Sequence, residues 1–170
     1  MIECLVGSEM CIRDRIGGDT KEKDMAATMT GWASIDPVGA LSWFDSLEEE
    51  RRTCKDVKFG MLKGLASSDL AFATDFAVGK LEAKDEHAGE MLETVKEKML
   101  EVETLPTAAL WAFDLPEGKV REEMLMAVTG EFVKREPKEA ANWAATLEGE
   151  EGVQIKQFIA GRWAKEDPIA

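Results

Sequence analysis
His87 is the only histidine in the chain, and it stands among Asp85, Glu86 and Glu90. Glu90 is three residues on, so a helix there would put the imidazole and that carboxylate on one face, where a metal could touch both. A structural zinc site needs about four ligands. No cysteine or second histidine assists, so the reading is a solvated helix start, with no metal and no cofactor. Cys54 could act as a nucleophile, but a thiol needs a base to activate it and its own stretch of chain has no histidine. It reads as a buried or half-buried thiol. There is no phosphate-binding glycine loop, no His-Glu-x-x-His and no EF-hand loop.

Paired carboxylates are the next chemistry to weigh, because some α/α-barrel glycosidases are built from helical hairpins. They need two acids facing one cleft at a defined separation. Here Glu48, Glu49, Glu50, Glu82, Glu90, Glu101, Glu103, Glu148, Glu150 and Glu151 fall mostly at turns and helix ends, where acids are solvated or favour helix N-termini. The run from Gln157 through Gly161 to Trp163 matches the Gln-x3-Gly-x-Trp core of triterpene cyclases. It occurs once and without an aspartate-rich protonation motif, so it reads as coincidence. One cluster stands out from the acidic background. Arg51, Lys55 and Lys58 fall at i, i+4 and i+7 of a helix face, with Arg52 adjacent. These four could dock an acidic protein segment, or simply neutralise Glu48 to Glu50 at a few tenths of a kcal/mol per exposed pair.

The elements that must carry these residues repeat. The frame Ala-x-x-Trp-x-x-x-Leu occurs as Ala40/Trp43/Leu47, Ala108/Trp111/Leu115 and Ala140/Trp143/Leu147, with a degenerate copy at Ala73/Phe76 and Leu81 one place late. Successive alanines are 33, 35 and 32 residues apart. Eight residues before each stands a large apolar residue: Trp32, Leu65, Leu100, Phe132. Trp163 would precede a fifth anchor one place past the last residue. A period in the low thirties is the size of a two-helix unit, which cannot bury its apolar face alone and must stack on neighbours. Asp36-Pro37, Glu136-Pro137 and Asp167-Pro168 put an acid at the helix cap and proline at the first helical position, where its missing N–H costs nothing. Glu139 adds a carboxylate to one such first turn. The spacing predicts mostly buried indoles at Trp43, Trp143 and Trp163, and a cost of about 3–5 kcal/mol for Trp143→Ala.

Along the chain, Gly17-Gly18-Asp19 reads as a loop, with Thr20 or Asp24 capping a helix to about Ser34. Hairpins follow at 37–47 with 51–66, at 69–81 with 86–100, at 104–113 with 120–132, and at 137–147 with 155–163. Turns fall at 115–118 and 148–152. The return helices carry Met91, Leu92, Val95, Met99 and Val102; Val120, Met124, Val128 and Phe132; and Ile155, Phe158, Ile159 and Trp163 on their apolar faces. No stretch alternates as a strand does, and no apolar run reaches the ~18–20 residues that span a bilayer.

The 170 residues suffice for one domain, and 45% of them are apolar. Acids outnumber bases 34 to 21, a net charge of −13, which argues against a nucleic-acid surface or an anionic membrane face. The segment Glu9-Met10-Cys11-Ile12-Arg13-Asp14-Arg15 resembles a read-through translation of a transposon mosaic-end sequencing adaptor. Residues 1–15 are therefore expected to be non-native, leaving Cys54 as the one remaining cysteine, which fits cytoplasm or periplasm equally. Residues 16–170 are expected to form one repeat domain truncated at both ends.

The pattern Trp-x4-Pro-x2-Ala-x2-Trp, as in Trp32, Pro37, Ala40 and Trp43, resembles hairpin repeats of large, mostly uncharacterised bacterial proteins. Those repeats often read Trp-Ala-x-x-Asp-Pro, as in Trp163-Ala164-Lys165-Glu166-Asp167-Pro168. The resemblance covers about residues 25–170, with 65–102 the most divergent. The architecture looks similar to tetratricopeptide and HEAT-type solenoids, although the tetratricopeptide consensus is not met. It implies a scaffold and carries no catalytic residue over. The sequence thus predicts an all-α chain, a right-handed α-solenoid of about four to five αα-hairpins with a period of about 31–36 residues. Its expected role is non-catalytic protein–protein interaction with a protein or peptide partner. The alternatives are a fragment of an all-α toroid-type hydrolase and a structural spacer within a longer chain.

Overall fold
The computed structural model describes residues 18–166. Within them the chain is all helix: α1 (Gly18–Ala33), α2 (Pro37–Asp45), α3 (Glu49–Thr53), α4 (Lys55–Ser68), α5 (Leu70–Glu82), α6 (Ala88–Val102), α7 (Leu105–Asp114), α8 (Lys119–Arg135), α9 (Pro137–Thr146) and α10 (Gly149–Glu166). No strand occurs among the described residues. The adaptor-like segment at residues 1–15 and the Asp167-Pro168 pair lie outside them.

The helix starts follow from their caps. Asp36 accepts a hydrogen bond from the Gly39 N–H at 2.9 Å with Pro37 at the first helical position. The Asp69 carboxylate takes the Ala71 N–H at 2.8 Å, and the Thr104 hydroxyl takes the Thr107 N–H at 3.4 Å. Glu136 has nearly the same backbone as Asp36 (φ −138°, ψ 66° against φ −134°, ψ 81°), yet its longer side chain makes no capping bond. Backbone geometry is thus common to the two acid–proline turns, while the side-chain bond belongs to the shorter acid. Asp36→Ala is expected to lower stability by about 1 kcal/mol, and Glu136→Ala to be near neutral, read as the shift in the thermal midpoint of each variant.

The chain divides into two compact units, residues up to Ala77 and residues from Val78 onward. In the first, α1 lies along α4, and α2 packs on both. That pairing depends on residues without side chains. A Cβ on Gly60 would stand 2.8 Å from the Ala26 Cα, and one on Gly64 would stand 2.7 Å from the Ala33 Cβ. The Thr30 hydroxyl lies at 2.9 Å from both the Ala26 and the Gly60 carbonyl oxygens, so it can donate to either helix. In the second unit, the principal contacts of α6 to α10 join helices one or two places apart along the chain: α6 with α7 and α8, α8 with α7, α9 and α10, and α9 with α10. Every extensive contact there joins helices close in sequence.

The repeat frame maps onto the core with one revision. Ala40, Ala73, Ala108 and Ala140 are all fully buried. The residue four places on completes the seam: Phe44, Ala77, Ala112 and Ala144 are 0–2% exposed. The predicted aromatic, at i+3, sits at the edge instead. Trp43, Trp111, Trp143, Trp163 and Phe76 are only partly buried, and Trp32 is 36% exposed. The buried second position is alanine in three copies and Phe44 in the first, and the aromatic at i+3 lies beside it. Trp32 rests on Trp43 with centroids 5.7 Å apart, Phe44 on Phe76 at 5.3 Å, and Phe132 on Trp143 at 5.9 Å.

Three boundaries differ from expectation. The first helix starts at Gly18, so neither Thr20 nor Asp24 caps it. The predicted loop at 148–152 is helical from Gly149, whose φ of 79° suits glycine. Gly152 then tucks under Leu147, where a Cβ would stand 2.9 Å from its carbonyl oxygen. The predicted helix 51–66 is broken at Cys54 (ψ 126°), which ends α3 and precedes α4. There the Thr53 hydroxyl turns back to the Glu49 and Glu50 carbonyls at 2.9 and 3.1 Å. Of the predicted apolar stripe on α6, Met91, Leu92, Val95 and Met99 are buried, but Val102 at the last turn is 54% exposed.

Candidate functional site
The break at Cys54 divides the basic cluster. Arg51 and Arg52 belong to α3, whereas Lys55 and Lys58 belong to α4, so the four do not share one helix face. Arg51 is exposed, and Arg52 donates from Nη1 to the Asp45 carbonyl at 3.4 Å. Lys55 lies over the Phe59 ring at 5.4 Å. Lys58 is only 3% exposed and is part of the packed interior. The structure therefore brings Arg51, Arg52 and Lys55 to the surface and withdraws Lys58 from it. Cys54 itself is partly buried and in no disulfide.

His87 does stand at a helix start, as the N-cap of α6. Its backbone N–H donates to the Asp85 carboxylate at 2.9 Å, and its Nδ1 lies 3.5 Å from Asp85 and 3.6 Å from Glu86. The local acids thus shape a turn. Among the described residues no group of three or more histidine, cysteine and acidic side chains is placed to hold a metal. The acids weighed as a catalytic pair whose side chains are described, Glu48 to Glu50, Glu82, Glu90, Glu101, Glu103, Glu148 and Glu150, are all exposed. Glu101 pairs with Lys98 at 2.9 Å along its own helix. Gln157 and Gly161 lie one turn apart on the exposed side of α10, and Arg162 stacks over Phe158 at 5.8 Å.

Two surface features were not anticipated. One is the turn between α1 and α2, where Ile35 is 85% and Val38 64% exposed beside Trp32. In the repeat frame the matching positions hold Ser68 and Ala71, Glu103 and Pro106, and Arg135 and Lys138, so only this turn is apolar at both. The other is a groove of 260 Å³ between α8 and α10, lined by Leu125, Met126 and Ile155 with Glu122, Glu123 and Gln154. Its sequence signal was the pair Leu125-Met126, adjacent to the predicted stripe on α8 yet broadening it beyond a single line. The groove is open, and 260 Å³ falls below the roughly 300–1,000 Å³ of sites that enclose a small molecule.

No protein-family model matches the chain, and no curated protein or solved structure matches it significantly. No helix among the described residues is long and apolar enough to cross a membrane.

Proposed function
We propose that the chain is a non-catalytic protein-interaction scaffold, an α-solenoid of about four to five αα-hairpins that presents the outer faces of successive helices to a protein or peptide partner. The observation that carries this reading is the recurrence of one buried seam, an alanine and the residue four places on, at Ala40, Ala73, Ala108 and Ala140. Units that repeat a seam stack by it, and the faces left over make an extended surface. The sequential packing of α6 to α10 supports the same arrangement within the second unit. The toroid-type hydrolase alternative gains no comparable support, because the acids weighed for it project from turns and helix ends.

The test is affinity capture on the full chain, followed by recombination of the purified partner. The expected result is a stoichiometric complex in which exposed helix faces become protected from deuterium exchange and the partner leaves chemically unchanged. A captured molecule that is cleaved or otherwise converted would overturn the scaffold reading in favour of an enzyme.

A further inference from the structure
The groove between α8 and α10 has a composition that selects its occupant. Its floor is apolar: Leu125 and Ile155 are 4% and 1% exposed, and Met126 is partly open to solvent. Methionine is unbranched and polarizable, so it adapts to differently shaped apolar side chains. The remaining lining residues are Glu122 and Glu123 from α8 and Gln154 from α10. Glu123 pairs with Lys119 at 3.5 Å, but both side chains are more than half exposed. Such a pair is worth little and leaves the carboxylate open to exchange. Around the groove the whole chain carries −13, a field that draws cations toward an acidic rim.

Resting on the scaffold reading, we infer that this groove takes a peptide segment that inserts an aliphatic side chain onto Leu125, Met126 and Ile155 and sets an adjacent lysine or arginine against Glu122 and Glu123. The volume suits one or two side chains, and the open walls suit a segment whose backbone continues past the groove. An acidic segment would meet the Glu122 carboxylate and a Glu123 carboxylate held only by an exposed pair with Lys119, and is disfavoured.

The test uses the full chain and three fluorescein-labelled twelve-residue peptides of one amphipathic spacing, built from leucine and lysine, leucine and glutamate, or serine and lysine. Fluorescence anisotropy is expected to show the leucine–lysine peptide binding at least about tenfold more tightly than either of the others. The double variant Glu122→Lys with Glu123→Lys should weaken it about tenfold, and Met126→Ala a few-fold, with thermal unfolding of each variant showing that the fold is retained. Glu97→Lys with Glu103→Lys changes the net charge equally at exposed residues that do not line the groove, and should leave the affinity within about twofold. Equal binding of the leucine–glutamate peptide, no binding of the leucine–lysine peptide, or the same loss in both double variants would overturn the assignment. Tight binding insensitive to Glu122 and Glu123 would place the contact elsewhere on the chain and leave the scaffold reading standing. That reading falls separately, on chemical conversion of a recombined partner.

Discussion

Phe132→Ala is expected to cost about 3–5 kcal/mol, the range for deleting a fully buried aromatic side chain. Phe132 is 0% exposed, its ring meets Trp143, and its neighbours Val128 and Val133 are also buried. Truncation leaves a void that α8 and α9 fill only by shifting two packed helices. For a chain of this length each kcal/mol moves the midpoint by roughly 2–4 °C, so the thermal midpoint should fall by roughly 6–20 °C. Trp143→Ala should cost less, by about 1–2 kcal/mol. The indole is only partly buried, and its Nε1–H lies in the interior with no hydrogen-bond partner among the described residues, so truncation also removes a desolvated donor that itself costs stability. The order of these two losses, measured by thermal or urea unfolding, separates a core built on Phe132 from one built on the tryptophan.

Gly60→Ala should destabilise by about 1–3 kcal/mol, although alanine in a helix interior is ordinarily better than glycine by about 1 kcal/mol. The added methyl would stand 2.8 Å from the Ala26 Cα and 2.9 Å from its carbonyl carbon. Backbone atoms cannot swing aside as a side-chain tip can, so α1 must lift from α4. The Thr30 hydroxyl, 2.9 Å from the Gly60 carbonyl, would be displaced with it. Gly31→Ala is the matched comparison. Gly31 is exposed within α1 and a Cβ there meets nothing within 4 Å, so the propensity gain should appear undiminished. Opposite signs in unfolding midpoints for the two glycine-to-alanine changes are the expected outcome. A stabilising Gly60→Ala would mean that α1 and α4 are not in backbone contact.

The helical class and most helix positions were legible because proline, acidic caps and spaced apolar residues act locally. Asp36-Pro37 and Glu136-Pro137 start helices for reasons confined to a few residues, and the alanine frame marked four buried positions. Which neighbour completes each seam was not legible. Tryptophan is the largest side chain in the frame and attracted the assignment, but a closely packed contact line is decided by how near two backbones come. Only the packed helices show that Phe44, Ala77, Ala112 and Ala144 are the buried partners of the frame. The same holds for Gly60 and Gly64, whose role depends on Ala26, Thr30 and Ala33 arriving opposite. The one-face placement of the basic cluster differs for a local reason, since the extended backbone of Cys54 interrupts the helix on which the i, i+4, i+7 argument stood. The groove on α8 and α10 was invisible because its two walls lie about thirty residues apart in sequence.

The proposed scaffold rests on the periodic alanines marking a single mode of close approach, and leucine placed in turn at Ala40, Ala73, Ala108 and Ala140 tests that most directly. Each alanine is 0% exposed, so each added side chain has no room. Unfolding of the four variants is expected to show comparable losses of about 1–3 kcal/mol, while leucine at the exposed neighbours Ala71 and Asn142 leaves stability nearly unchanged. Leucine tolerated without loss at any one of the four anchors would show that the periodic alanines do not mark a common seam, and the scaffold built on that seam would fall with it.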